Sequence, residues 1–333
     1  MQARTYSFMI IFSAVSLLIG TVTANIVLNP QGVFWTNFFK AGATQNWRVA
    51  QFRNYRANPT LYDALFFASS RGGVFDLSDL ARRMQVSAVA NFMIPGGTPS
   101  DQLPIFNYVL RDKAERSEPL RAVFLLLDAD ILGQIPRTNR NMDSFLPPEL
   151  TGEHPARFWL RHLASFQYRN WVEMVAPRVS TPPAVLAAAP PQQTRLMASE
   201  ATAPTIGAEK DRPQLFDPQP YLRPHLEMLA SIVALCRKHH ISLTVAFSPL
   251  SRENGNMNDR ADWTRIIELT SHVVPVWDFG EPAWLSDRPD LWHDASHFRL
   301  AVATMMLDRI FGPEPTAPFA FGFKRGNEFD NRN

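Results

Sequence analysis

The chain reads as an α/β protein in which a parallel sheet is covered on both faces, preceded by an apolar segment long enough to cross a bilayer. Three observations predict this. Five short, near-continuous apolar runs occur at Leu61 to Phe67, Val86 to Met93, Ala122 to Leu127, Ile241 to Phe247 and Val273 to Phe279. Stretches with helical periodicity separate them. A strand buried on both faces reads as a continuous apolar run, and alternation with helices calls for parallel crossovers. The third observation is that no charged residue occurs from Thr5 to Phe39.

Taken in order, Tyr6 to Leu28 is mostly Ile, Leu, Val, Phe, Met and Ala, and exceeds the roughly 20 residues a bilayer span needs. Arg4 precedes it, so the positive-inside rule keeps residues 1–28 as a cytoplasmic tip and anchor and sends the rest outside. Val22-Thr23-Ala24 also fits a cleavage site, which leaves a removed signal peptide as the alternative. Residues 29–60 read as a membrane-proximal stalk carrying Phe34, Trp35, Phe38, Phe39 and Trp47, aromatics that suit either the membrane interface or packing.

The α/β domain is expected over 61–312. Its helices are Asp76 to Met84 with Ser78 as a cap, Ser100 to Arg116, Leu222 to His239, Asp259 to Ser271 and Leu300 to Phe311. An insertion at 139–214 interrupts it. Its first part, with Phe158, Trp159, Phe166 and Trp171, is an expected helical cap. From Ala176 to Gln214 the chain is rich in Pro, Ala, Thr and Gln, a composition that buries too little surface to order itself. Residues 313–333 are a C-terminal tail.

Composition narrows the function classes. The 333 residues are 46% hydrophobic with 33 basic and 31 acidic side chains, and no basic block marks a nucleic-acid surface. One cysteine, Cys236, excludes an intramolecular disulfide and a Cys-based zinc cluster. Among Ile232, Val233 and Leu235 it reads as a packed core thiol. His239 and His240 close a helix, where a cation favours the dipole.

The chemistry-bearing residues fall after the strands, where doubly wound sheets bind ligands. Ser69-Ser70-Arg71 follows the first run, Gly96-Gly97 the second, Asp128 and Asp130 the third, Ser248 the fourth, and Asp294-Ala295-Ser296-His297 the fifth. Residues three apart share one face of a helical turn, so Asp294 is expected to hold the His297 ring and stabilise its imidazolium. A serine hydroxyl needs such an imidazole to become nucleophilic, and Ser70 at a strand-to-loop turn is the candidate. Gly96 and Gly97, lacking Cβ, let backbone N–H groups approach an oxyanion. Arg71 either steers an anionic substrate or pairs with Asp76 or another carboxylate. Asp128 and Asp130 read as loop caps, site residues or oxyanion-side substitutes. Taken singly, each motif has an ordinary meaning: Asp-x-x-His a solvated helix start, Ser-Ser-Arg and Gly-Gly plain turns. Their shared edge is what joins them.

The small-Ser-Ser-Arg turn, the glycine turn and the late Asp-x-x-His resemble the SGNH (GDSL-like) hydrolase superfamily. Among its members they are similar to membrane-anchored bacterial branches such as the alginate O-acetylation and D-alanyl-lipoteichoic acid transfer proteins. The resemblance implies a three-layer, flavodoxin-like α/β/α sandwich with a five-stranded parallel sheet. It implies Ser70 as nucleophile, His297 as base, Asp294 as its partner, and Gly96 or Gly97 as an oxyanion donor. Ala68 and Ser69 replace the Gly and Asp of the family's turn. Leu127-Asp128-Ala129-Asp130 stands where Gly-x-Asn-Asp is expected, so the asparagine donor has no counterpart.

The expected function is therefore extracytoplasmic acyl transfer or hydrolysis, as an O-acetyltransferase or acetylesterase held in the cytoplasmic membrane. The substrate is a cell-envelope polymer or exopolysaccharide, a membrane acyl-transfer protein is a candidate partner, and neither cofactor nor nucleic acid is called for. One alternative is a non-catalytic scaffold in polysaccharide assembly. Another is a metal-dependent hydrolase using His293 and His297 with Asp128 or Asp130.

Overall fold

The computed structural model describes residues 2–34, 45–133, 145–175, 219–250, 260–280, 283–286, 288–312 and 321–326. The expected low-complexity stretch 176–214 lies outside them, as do Trp35, Phe38 and Phe39. The chain divides into two compact units, residues 1–52 with 138–188 and residues 53–137 with 189–333.

The first unit is built on α1 (Gln2–Leu28), whose residues Thr5–Leu28 are long and apolar enough to span a membrane, with a mean hydropathy of 2.1. α2 (Trp47–Ala57) begins in this unit and ends in the second. α1 is exposed through Gly20; burial begins at Thr21 and includes Asn25. The covering elements come from the insertion. α3 (Pro148–Thr151), α4 (Pro155–Ala164) and α5 (Tyr168–Val175) belong to this unit, and α4 and α5 both pack on α1. The Asn25 amide donates to the carbonyls of Leu163 and Ser165 at 2.9 and 2.8 Å, and its oxygen accepts from Trp171 Nε1 at 2.9 Å. Val33, Val49 and Phe158 form a small core beside Phe34, Phe145 and Trp159. The described part of the expected cap thus belongs to the same unit as α1. Within the expected stalk, Val49 belongs to that core and the α2 side chain Phe52 is buried.

The second unit is α/β with a mixed sheet of six strands. These are β1 (Ala64–Ala68), β2 (Val89–Met93), β3 (Ala122–Leu127), β4 (Ser242–Phe247), β5 (Val276–Asp278) and β6 (Phe323–Arg325), in the order β2-β1-β3-β4-β5-β6. The pairs β1–β2, β1–β3, β3–β4 and β4–β5 are parallel, and β6 joins β5 antiparallel. An edge strand inside the expected tail therefore corrects the all-parallel expectation. Gly322 and Gly326, with φ of 78° and 90°, bracket it, and Arg325 donates to Asp278 at 2.6 Å.

Successive strand residues point to opposite faces. Phe66 stacks on Phe124 (5.4 Å between ring centroids) and meets Phe75, while Phe67 stacks on Phe92 and meets Phe106 edge-on. Phe106 comes from the helix Pro99–Glu115, which packs on the helix Gln219–Lys238. On the Phe66 side, Phe124 meets Phe311 of the helix Leu300–Phe311. Leu61 is exposed in a 3₁₀ turn after Pro59, so the first strand starts later than its apolar run. The cap of the helix Leu77–Met84 is Asp76, whose carboxylate accepts the N–H of Ser78 and Asp79, and not Ser78 as expected. Cys236 is buried, and burial pushes its thiol up to about 12, as fits a packed core group.

Candidate active site

The parallel register aligns the carboxyl ends of the strands: Ala68 pairs with Met93, and Leu127 with Phe247. The chain after β1 turns at once. Ser69 is buried, and its hydroxyl accepts the N–H of Arg71 at 3.2 Å, starting the 3₁₀ turn Ser70–Val74. This turn lies hard against the strand it leaves; a Cβ on Gly72 would stand 2.3 Å from that of Ala68. Ser70 is thereby the half-buried residue of the serine pair. Its N–H opens the turn, a position without an intrahelical acceptor.

His297 arrives from the other end of the sequence. Trp292 and Phe298 form an antiparallel bridge, the His293 N–H donates to the His297 carbonyl at 2.7 Å, and Trp292 Nε1 is held by the Leu285 carbonyl at 3.0 Å. Asp294 closes the loop from within. Its Oδ1 accepts the N–H of Ser296 and of His297 at 2.7 and 2.9 Å. The expected helical turn is absent here, since the helix begins only at Leu300; a side-chain-closed loop produces the same meeting of residues three apart.

Asp294 Oδ2 lies 2.8 Å from His297 Nδ1, and His297 Nε2 lies 2.9 Å from Ser70 Oγ. Burial opposes ionisation of Asp294, but the His297 hydrogen bond and the Ser296 N–H outweigh it and lower its pKa to about 2. An ionised carboxylate only accepts hydrogen bonds. Nδ1 therefore carries a proton, and in the neutral ring the Nε2 lone pair faces the Ser70 hydroxyl.

Arg71 faces carboxylates, as the pairing alternative expects. Its guanidinium is buried, donates through both terminal nitrogens to Asp130 at 2.7 and 2.8 Å, and lies 3.1 Å from Asp128. It also donates to Ser248 Oγ at 3.2 Å and, through Nε, to the Ser296 carbonyl at 2.8 Å. Burial disfavours its charge, but Asp128 and then Asp130 more than offset this, so its pKa is raised. One side chain thus joins the ends of β1, β3 and β4 to the histidine loop. Asp128 is at a helix N-cap position yet makes no side-chain capping bond; it accepts instead from the buried Ser248 hydroxyl. The sequence reading placed Asp128, Asp130 and Ser248 on the right edge but missed their common partner.

Of the two glycines, Gly97 donates its N–H to the Ile94 carbonyl at 2.7 Å, closing a turn in which a Cβ would lie 2.8 Å from that oxygen. Its N–H is already used, which corrects its assignment as an oxyanion donor; tight turning accounts for the residue. Gly96, at φ 64°, forms the corner. Both nitrogens of His297 are engaged as above. Among the described residues no group of three His, Cys, Asp or Glu side chains is placed to hold a metal.

No protein-family model matches the chain, and no curated protein matches it.

Proposed function

We propose that this chain is a membrane-anchored serine enzyme of SGNH type that transfers or hydrolyses an acyl group, as an O-acetyltransferase or acetylesterase. The observation that carries the reading is the unbroken hydrogen-bond series Ser70–His297–Asp294, drawn from opposite ends of the sequence. Helix side chains on both faces of the sheet support a three-layer α/β/α arrangement. In the first half-reaction Ser70 Oγ bonds to the acyl carbon as its proton passes to His297 Nε2. The tetrahedral adduct then expels the alcohol, which takes that proton back from His297. In the second half, water or a sugar hydroxyl attacks the acyl-enzyme, His297 takes its proton, and Ser70 leaves and recovers it. Asp294 holds the ring and its charge throughout. The Ser70 N–H, with Gly96, is the proposed oxyanion donor set.

The compartment and substrate belong to the same proposal. α1 holds the protein in the cytoplasmic membrane as a single pass with the catalytic domain outside, a reading supported by the length and apolar character of Thr5–Leu28. An envelope polymer or exopolysaccharide hydroxyl as substrate, and a membrane acyl-transfer protein as partner, follow from the resemblance. A scaffold reading draws on one observation, the commitment of Asp128 and Asp130 to Arg71 where an asparagine donor is expected. Labelling by a fluorophosphonate probe separates the two. The enzyme reading expects labelling of the wild type and none of Ser70→Ala; a folded wild type that stays unlabelled favours the scaffold.

A further inference from the structure

Outside α1, the described residues expose seven large apolar side chains, and four of them lie between residues 160 and 172. Leu160, Phe166, Tyr168 and Val172 are 65%, 66%, 66% and 44% exposed. Leu160 is on the outer side of α4, away from the buried Phe158 and His162. Tyr168 and Val172 are four apart in α5 and share a side. The solvent side of a helix in a water-soluble protein is ordinarily polar, and clustered exposed apolar groups mark an interaction surface.

The place of this patch in its unit identifies what covers it. Asn25 bonds to Leu163, Ser165 and Trp171, so the α4–α5 turn sits on α1 at residue 25. Before that point α1 is exposed at every residue from Thr5 to Gly20. Those sixteen residues are about 24 Å long at 1.5 Å each, whereas a bilayer's hydrocarbon core is about 30 Å thick. The remaining ~6 Å is four more residues, which brings the hydrocarbon edge to about Ala24, beside the turn that carries Phe166.

We infer that the α4–α5 turn is an interfacial element whose partner is the lipid surface itself. Leu160, Phe166, Tyr168 and Val172 enter the boundary between headgroups and acyl chains in the leaflet through which α1 leaves the membrane. The inference rests on the reading of α1 as a retained span. Tyr168 and Trp171 have the apolar body and polar edge that suit this depth. Arg157, exposed on α4, stays on the aqueous side.

The test uses the full chain with Cys236→Ala and one new cysteine at a time: Leu17→Cys, Arg157→Cys, Phe166→Cys or Tyr168→Cys. Each is labelled with an environment-sensitive fluorophore and reconstituted into phosphatidylcholine–phosphatidylglycerol vesicles holding quenchers at shallow or deep acyl positions. Labels at 166 and 168 are expected to emit at shorter wavelength than at 157 and to be quenched more by the shallow quencher. The label at 17 is expected to be quenched more by the deep one. Water-like, unquenched emission at 166 and 168 with quenching at 17 overturns the inference, assigns the patch to a protein partner or to solvent, and leaves the anchor standing. An unquenched label at 17 removes the anchor and the inference together.

Discussion

Asp294 has two functions: its Oδ1 gathers the loop N–H groups, and both oxygens face the imidazole, Oδ2 at 2.8 Å and Oδ1 at 3.0 Å from Nδ1. Asp294→Asn can imitate the first function but not hold the same tautomer, so kcat for ester cleavage is expected to fall by about 10⁴ with the protein still folded. Because its pKa in the fold, about 2, lies below the usual carboxylate value, its stabilisation is full above about pH 4 and is lost as pH falls towards 2. The gap in thermal midpoint between wild type and Asp294→Asn should therefore close over that window. Arg71 is a charge whose meaning changes with burial. In the sequence it stands beside a candidate nucleophile and invites a substrate role; in the fold, carboxylates nearly sixty residues away surround it. Such partners are invisible to local reading, whereas Ser70, Asp294 and His297 were legible because their residue types and order on one sheet edge define them. Arg71→Met should lower stability by about 3–5 kcal/mol in urea titrations, since Asp128 and Asp130 lose the buried positive charge between them. Arg71→Lys should recover only part, having charge without the two-pronged fit.

Elements were legible where burial acts on both sides of the chain at once. β3 and the last helix coincide with their apolar runs because Ala122–Leu127 is buried at every position and Leu300–Phe311 begins just after Arg299. Boundaries slipped where a run continues past its strand, as at Leu61 and Val273. β6 could not be read at all: Phe-Lys-Arg has no periodicity, and its extended form depends on β5 and on the Arg325–Asp278 ion pair. Caps differ by a side-chain direction that sequence does not give. Asp76→Ala should cost about 1 kcal/mol in a urea midpoint, the usual loss for an N-cap carboxylate. Ser78→Ala, two residues later, should stay within about 0.5 kcal/mol.

At the scale of the molecule, the apolar N-terminal helix is long enough to span a membrane and is also a structural member. A form beginning at residue 21 keeps Asn25 and its three bonds, and limited proteolysis should leave 145–175 protected. A form beginning at residue 30 strips partners from the Leu163 and Ser165 carbonyls and from Trp171, each loss costing about 1–3 kcal/mol, and should be cut there readily. The same bonds set a timetable for biosynthesis. Asn25 must wait for a stretch 138 to 146 positions behind it on the ribosome, and Ala122 for Ser242. The first unit therefore cannot close until its second segment, 138–188, has emerged, and the β3–β4 pair of the second must await Ser242, so each passes part of synthesis with apolar surface uncovered.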